Sequence, residues 1–193
     1  PYFAPGGTTS VALAEVAATR YVDVGAPARA FYRVQARFPG GYAEGSSTVG
    51  QWATPLHTGF TKVSHCLLGE VDVEAVCDGV GPAAQAAYVW DPGAQAWIPW
   101  RREEPGPSPV LALGEVVSVL IGPDHPSHHV AVGSVPDAAD VFLGLRPGDN
   151  LVTVSLGRFF GATRASELLA AVPHSVRVGR WDGAEQVIHW YPD

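Results

Sequence analysis

The chain has 193 residues, of which 47% are hydrophobic and 16% charged, a composition that favours a folded protein with an apolar core over a disordered one. With 12 Lys and Arg against 19 Asp and Glu, its net charge of −7 disfavours binding to nucleic acid or to an anionic membrane surface. Its 22 glycines and 17 prolines indicate many short elements joined by tight turns, and no apolar run approaches the roughly 20 residues that span a bilayer.

Two features of the sequence bear on the cellular compartment of the protein: its N-terminus and its cysteines. The sequence begins at Pro1 and contains no methionine, so we expect that an upstream segment is removed and that the chain is exported. Cys66 and Cys77 are the two cysteines, and an even count in an oxidising compartment predicts a disulfide between them. Two independent buried thiols are the alternative. The sequence thus predicts a secreted or cell-surface protein.

In chain order, the N-terminal part reads as strands. Residues 10–18 and 20–24 have weak period-two patterns, although the alanines of the first also tolerate a helical turn. In residues 30–38, aromatic and β-branched side chains alternate with Arg and Gln, which is the pattern of a strand with one apolar face. Pro39 and two glycines then end that strand.

The rest of the chain continues with short strands and few helices. A tight turn is predicted at residues 91–93, and a helix at residues 163–172, where Thr163 is a candidate cap. A shorter helix is predicted near residues 71–77. Strands are predicted at residues 60–68, 87–90, 96–100, 110–121, 130–132, 141–143, 150–156, 176–181 and 186–191.

Two stretches of the sequence share one order of features. Residues 59–67 align with residues 148–156, since each has a glycine followed by an alternating strand. Residues 90–95, Trp-Asp-Pro-Gly-Ala-Gln, align with residues 181–186, Trp-Asp-Gly-Ala-Glu-Gln, and an aromatic strand follows both. The shared order predicts a tandem duplication of one β unit, with chance recurrence as the alternative.

We therefore predict an all-β, β-dominated fold of two related antiparallel units, sandwich- or barrel-like, with one short helix possible in each unit. Residues 1–48 form an N-terminal strand segment, residues 49–134 the first unit and residues 135–193 the second unit, which lacks its closing strand. Three sources for that strand stay open: a longer chain of which this is a fragment, the segment 8–18 as a donor strand, or a neighbouring molecule.

These repeated residues also carry a family resemblance. The pattern Gly-x-x-Leu-Val-x-Val-x-Leu, then Trp-Asp-x-x-x-Gln and an aromatic end, resembles the repeat of large secreted and cell-surface proteins of bacteria. Residues 111–119 match the strand that closes such repeats, and residues 21–23 with 31–34 resemble the last strands of an Ig-like or fibronectin-like module. The resemblance implies a non-enzymatic structural or adhesive role in a cell-surface or filamentous assembly, with further copies or other surface proteins as partners and no cofactor.

Aromatic residues are the first candidate for a site. Flat rings stack on sugars and dominate many interfaces, so a carbohydrate-binding or surface-binding module is one alternative function. Packing in the core is the simpler explanation for most of the six tryptophans. The residues that we expect to remain partly exposed and to bind a glycan are Trp97, Trp100 and Trp190.

Histidines are the second candidate. One loop holds His125, His128 and His129 beside an aspartate, a group that can ligate Zn or Cu, although a solvent-exposed loop explains it equally. A secreted hydrolase or metal-binding protein is therefore the other alternative. The sequence contains no Gly-x-Ser-x-Gly motif and no phosphate-binding loop, so we predict no catalytic residues and no enzyme.

Overall fold

The computed structural model describes residues 13–17, 22, 24–25, 29–42, 48–103, 106–136, 144–153 and 164–192. Within these ranges the chain is mostly β, with several antiparallel sheets and two helices, which confirms the predicted β-dominated class; the described strands form no closed barrel. The helices are α1 (Val73–Val80) and α2 (Ala165–Ala171). The strands are β1 (Arg29–Tyr32), β2 (Arg37–Phe38), β3 (Gly41–Tyr42), β4 (Val49–Pro55), β5 (Gly59–Ser64), β6 (Val71–Asp72), β7 (Ala84–Asp91), β8 (Ala96–Trp100), β9 (Val110–Leu111), β10 (Val116–Ile121), β11 (His128–Ser134), β12 (Val178–Asp182) and β13 (Val187–Tyr191).

The largest sheet has the antiparallel order β5-β10-β7-β8. Its centre is β10, a nearly continuous apolar run in which five of six residues are buried, as expected for a strand that is covered on both faces. Val117 of β10 lies opposite Val63 of β5 on one side and Val89 of β7 on the other. Strand β10 therefore lies between β5 and the hairpin of β7 and β8.

Helix α1 covers one face of this sheet because its apolar residues recur at helical spacing. Val73, Val76, Cys77 and Val80 are buried and form the main core together with residues of β5, β7, β9 and β10. The helix ends at Gly81, whose φ of 81° suits a residue without a Cβ. The short helix predicted near residues 71–77 is thus confirmed, with later bounds.

A second sheet has the order β1-β4-β11. Its central strand, β4, was not among the predicted strands, because Gly50 and Pro55 mask the alternation of its apolar residues. Trp52 of β4 is buried and packs with Cys66 and Phe31 in a second, smaller core. Strand β1 belongs to the predicted N-terminal segment, so this sheet extends across the predicted boundary at residue 48.

Several predicted strands differ from the observed ones. Residues 110–121 form β9 and β10 rather than one strand, because the chain turns between them and Gly114 adopts a φ of 90°. Residues 33–36 interrupt the strand predicted at 30–38. Residues 13–17 belong to no strand, so for these residues the strand predicted at 10–18 is wrong. Residues 150–153 belong to no strand either, so for these residues the strand predicted at 150–156 is wrong. Residues 154–156 and the strand predicted at 141–143 lie outside the described residues.

The C-terminal part contains α2 and one hairpin. Helix α2 confirms the helix predicted at 163–172, and its first turn is capped by the Glu167 side chain, which accepts a hydrogen bond from the N–H of Arg164 at 3.1 Å. The predicted cap, Thr163, lies outside the described residues. Among the described strands, β12 and β13 pair only with each other, and all five residues of β13 are exposed. No helix in the described ranges has the length and hydropathy to cross a membrane.

Candidate functional site at the junction of the two hairpins

The turns of the first hairpin (β7 and β8) and the second hairpin (β12 and β13) have the same internal hydrogen bonds. Asp91 Oδ1 accepts from two backbone N–H groups of its turn, two and three residues on, at 2.7 and 3.0 Å. Asp182 Oδ1 does the same at 2.9 and 3.1 Å. In each turn, three residues separate the aspartate from a glutamine. These glutamines, Gln95 and Gln186, have positive φ values of 52° and 57°. The Asp of each Trp-Asp pair therefore fixes its turn.

The glutamine of the first turn contacts the second glycine segment (residues 148–153). Gln95 Oε1 accepts from the N–H of Asp149 at 2.7 Å, and Gln95 Nε2 donates to the carbonyl of Asp149 at 3.1 Å. The same Nε2 also donates to the carbonyl of Pro92, in its own turn, at 2.7 Å. One amide thus satisfies the backbone of a segment more than 50 residues away while it remains fixed to its own turn.

The glutamine of the second turn makes the mirrored contact with the first glycine segment (residues 59–64). Gln186 Oε1 accepts from the N–H of Phe60 at 2.6 Å, and Gln186 Nε2 donates to the carbonyl of Phe60 at 2.9 Å. Its Nε2 also donates to the carbonyl of Gly183 at 2.6 Å. We call this pair of reciprocal contacts the glutamine clamp.

The two glycines that open these segments are required by the clamp. Gly59 and Gly148 have φ values of 95° and 98°, which side chains with a Cβ rarely adopt. A Cβ on Gly59 would stand 2.7 Å from Gln186 Oε1, and a Cβ on Gly148 would clash with Gln95 Oε1. Both the backbone conformation and the close approach of an amide therefore select glycine.

Lys62, the single lysine of the chain, lies between residues of the two hairpins. Its Nζ is 4.8 Å from the ring centroid of Trp97 and 4.7 Å from that of Trp181, within the range of a cation–π interaction. It also donates to Ser118 Oγ at 2.6 Å. Burial lowers the pKa of Lys62 from 10.5 to about 8, because desolvation disfavours the charged amine. The amine therefore joins β5, β8, β10 and β12.

The remaining indole contacts differ between the hairpins. Trp90 Nε1 donates to the carbonyl of Asp149 at 2.8 Å, and its ring meets Trp97 edge to face with centroids 5.2 Å apart. The aligned Trp181 Nε1 is buried and has no hydrogen-bond partner among the described residues. The first hairpin is therefore bonded to the opposite segment by one more group than the second.

The three aromatic residues predicted to bind a glycan are not equivalent. Trp100 is half-buried and packs against the main core. Trp97 and Trp190 are 42% and 39% exposed. Lys62 occupies a face of the Trp97 ring, and the guanidinium of Arg177 lies 4.0 Å from the centroid of Trp190. Within the described part of the chain, the rings of Trp97 and Trp190 do not contact each other.

The three histidines predicted to bind metal do not converge. His128 and His129 are neighbours on β11, so their side chains leave opposite faces of the strand. His129 is buried against α1, where a Cβ on Gly79 would stand 2.8 Å from its Cδ2, and burial lowers its pKa. His128 is exposed, and His125 is half-buried in the loop with its Nδ1 at 2.8 Å from the carbonyl of Pro126.

A different group has ligand-type side chains close together. In the described part of the chain, the group of three or more metal-ligating residues with ligand atoms within 4.8 Å of one another consists of Asp182, Glu185 and His189 at the second turn. Asp182 already uses one oxygen for its turn, and its other oxygen lies 3.9 Å from the guanidinium of Arg180. The pKa of Asp182 is lowered, first by its backbone hydrogen bond from Glu185. Protein cations and turn N–H groups thus compensate this carboxylate.

The predicted disulfide is wrong. Cys66 and Cys77 are both buried, and no disulfide joins them. Cys77 lies in the main core on α1, where burial raises the pKa of its thiol to about 11. Cys66 lies in the smaller core beside Trp52, with its sulfur 3.3 Å from Ser64 Oγ. The open alternative of two independent buried thiols is the one observed, because the cysteines belong to different cores.

Comparisons of this chain with protein-family models, with curated proteins and with solved structures find no match. The site must therefore be interpreted from its own contacts. Sequence reasoning aligned Gln95 with Gln186 but assigned them no role, and it placed Lys62 in a strand without a partner. The signal for the glutamines was present: each recurs at a fixed distance after Trp-Asp, and a glycine opens each opposite segment.

Proposed function

We propose that this chain is a non-enzymatic structural module of an extracellular cell-surface or filamentous assembly, built from two copies of one β unit. The observation that carries the proposal is the glutamine clamp. Each copy's turn binds the opening glycine segment of the other copy through the same atoms, so the repeated motif is used to hold the copies in one arrangement.

The use of the motif residues supports a role based on shape. Asp91 and Asp182 fix the turns, Gln95 and Gln186 join the copies, and the indole of Trp90 donates across the same junction. These polar groups are satisfied within the fold, so they are not poised for a substrate. The extracellular location is supported by the resemblance of the repeat to those of surface proteins, and the cysteines give it no support because no disulfide joins them.

Imaging and light scattering of the purified chain test the proposal. We expect ordered oligomers or filaments for the unsubstituted chain, and their loss in a Gln95→Ala/Gln186→Ala double variant, since the clamp holds the copies in register. Gln35→Ala is the matched control, because Gln35 is exposed and lies outside the junction. A chain that stays a monodisperse monomer over the accessible concentration range would contradict the assembly function.

Glycan or surface binding is the second candidate, because Trp97 and Trp190 keep a large exposed fraction. A sugar that stacks on either ring must compete with Lys62 or Arg177 for a ring face. Glycan titration monitored by tryptophan fluorescence tests this candidate, with Trp190→Ala as the variant expected to lose the response. An unchanged emission spectrum at saturating glycan removes it.

A further inference from the structure

The neighbours of β10 in the first unit show which segments would flank a corresponding strand in the second unit. This strand lies between β5 and β7, with Ser118 opposite Lys62 on one side and Tyr88 on the other. The alignment of Gly59 with Gly148, and of Trp90 with Trp181, makes residues 148–153 and β12 the corresponding neighbours in the second unit. In the described ranges, β12 pairs along one edge with β13, and residues 148–153 belong to no strand ladder.

In the second unit, side chains lie between residues 148–153 and β12, at the position that β10 occupies in the first unit. Arg177 and Asp149 correspond to Ala86 and Phe60, which both lie opposite Leu120 of β10. In the second unit the Arg177 guanidinium and the Asp149 carboxylate form an ion pair at 3.8 Å, with both side chains more than half exposed. An exposed pair of this kind is weak and separates readily. The second unit thus has both neighbours of a closing strand, and a strand can enter between them.

The donor side lies at the N-terminal end of the same chain. Residues 13–17, Leu-Ala-Glu-Val-Ala, repeat residues 113–117, Leu-Gly-Glu-Val-Val, at a spacing of 100, and Ala12 continues the match to Ala112. Residues 113–115 lead into β10, and residues 116 and 117 begin it. Residues 13–17 are all exposed, with Leu13 58% and Val16 48% accessible, and they pair with no described strand. Glu15 is bound to Arg37 by an exposed ion pair.

We propose that residues 13–17 of one copy of this chain insert between residues 148–153 and β12 of a second copy and close its second unit. The inserted strand is antiparallel to both neighbours, as β10 is in the first unit. By the same alignment, Val16 lies opposite Thr153, and Ala17 lies between Val152 and Arg180. The proposal rests on the proposed duplication and deepens the assembly function.

A second copy is the occupant because each chain carries one donor and one acceptor at different places. Its own residues 13–17 pair with no described strand, and Glu15 among them is bonded to Arg37 of β2. A contact between unlike surfaces of identical chains repeats head to tail, which gives a ring or an open filament. The exposed apolar side chains of the donor and the edge of β12 that pairs with no described strand are buried in the same step.

The donor differs from residues 113–117 at two positions, and the first of them provides a test. Ala14 stands where Gly114 has a φ of 90°, a conformation that costs an alanine free energy. A labelled peptide with the sequence of residues 11–20 is therefore expected to bind the acceptor, and the same peptide with Ala14→Gly is expected to bind more tightly. A scrambled peptide of the same composition is the control.

The experiment uses the full chain with Val16→Pro, which lacks an N–H that the inserted strand needs for its ladder. We expect this variant to associate about tenfold or more weakly than the unsubstituted chain, because a proline inside a paired strand removes a ladder bond and clashes. Val24→Pro, at a 96% exposed valine outside the donor, is the matched control and is expected to associate normally. The Val16→Pro protein is expected to bind the 11–20 peptide in a 1:1 complex, measured by fluorescence anisotropy.

The outcomes separate this proposal from the assembly function. Filaments that persist in Val16→Pro leave the structural function standing and overturn strand exchange. A peptide that binds Val16→Pro while the unsubstituted chain forms no assembly supports the acceptor site and overturns the assembly function. A monomeric unsubstituted chain that Val16→Pro destabilises, and that binds no peptide, shows that the donor closes the second unit of its own chain and overturns the second copy as occupant.

Discussion

At the scale of single residues, the clamp glutamines combine two kinds of contact. Each amide bonds its own turn and the backbone of a distant segment, and its neighbours leave room because a glycine faces it. A hydrogen-bonded amide in an exposed place contributes modestly on its own, since water replaces it when it is removed. Its larger effect is to fix the relative position of two strands that are far apart in the sequence.

Removing one clamp amide should destabilise the fold by a measurable amount. Gln95→Ala loses four hydrogen bonds and leaves the N–H of Asp149 to water, so we expect a loss of about 1–2 kcal/mol in the free energy of unfolding. Gln186→Ala should lose a similar amount. Urea denaturation measures both, with Gln35→Ala as the control that should stay within about 0.5 kcal/mol. Equal stabilities of Gln95→Ala and Gln35→Ala would refute the clamp.

Lys62 makes the stability of the junction depend on pH. Its pKa is about 8 in the folded chain and 10.5 for an ordinary lysine, so the folded state disfavours the charged amine. This penalty is complete below pH 8 and is relieved as the pH rises from 8 towards 10.5. The unsubstituted chain should therefore gain stability relative to Lys62→Met between pH 7 and pH 10, as measured by urea denaturation at each pH.

A loss of stability with rising pH, relative to Lys62→Met, would mean that the aromatic rings act on the charge of Lys62 more strongly than burial does. The rings of Trp97 and Trp181 favour the charged amine, whereas burial disfavours it. If the rings dominate, the unsubstituted chain loses stability relative to Lys62→Met as the pH rises. The variant keeps a flexible apolar side chain over the same rings, so the comparison isolates the charge.

At the scale of elements, the cysteines distinguish the two cores. Cys77→Ser places a hydroxyl in the apolar core under α1, and we expect a loss of about 1–3 kcal/mol in the free energy of unfolding. Cys66→Ser should cost less, because Ser64 Oγ already lies 3.3 Å from the sulfur and offers a partner. Urea denaturation with and without a reductant measures both. A disulfide would instead make the two variants equal and the unsubstituted chain sensitive to reductant.

The sequence predicted elements where a local pattern decides them. Helix α1 follows from four apolar residues at helical spacing and a terminal glycine, and both hairpins follow from Trp-Asp turns between apolar strands. Strand β4 was missed because its burial comes from its position between β1 and β11, not from its own alternation. The break at Gly114 was missed because the apolar pattern runs through it. The clamp could not be predicted because its contacts join residues more than 50 positions apart.

At the scale of the whole molecule, one ion pair controls the release of the donor segment. Glu15 bonds Arg37 Nη1 through both carboxylate oxygens, at 2.5 and 2.7 Å, with both side chains largely exposed. Exposed pairs of this kind contribute about 0.2–1 kcal/mol and weaken as salt screens them. Strand exchange must break this pair before residues 13–17 can enter a second copy. The pair therefore opposes assembly in proportion to its strength.

Removing the pair should promote association. Arg37→Gln frees the donor, and from the strength of an exposed pair we expect an association constant about 1.5-fold to 5-fold higher than that of the unsubstituted chain at low salt. High salt should raise association of the unsubstituted chain more than that of Arg37→Gln, since both keep the Arg177–Asp149 pair of the acceptor but only the unsubstituted chain also has the Glu15–Arg37 pair to screen. Arg102→Gln is the matched control, because it removes an equally exposed ion pair with Asp78 that is remote from the donor. Sedimentation velocity over a series of concentrations measures these constants. If Arg37→Gln and Arg102→Gln have the same association constant, residues 13–17 are not the segment that joins one chain to the next.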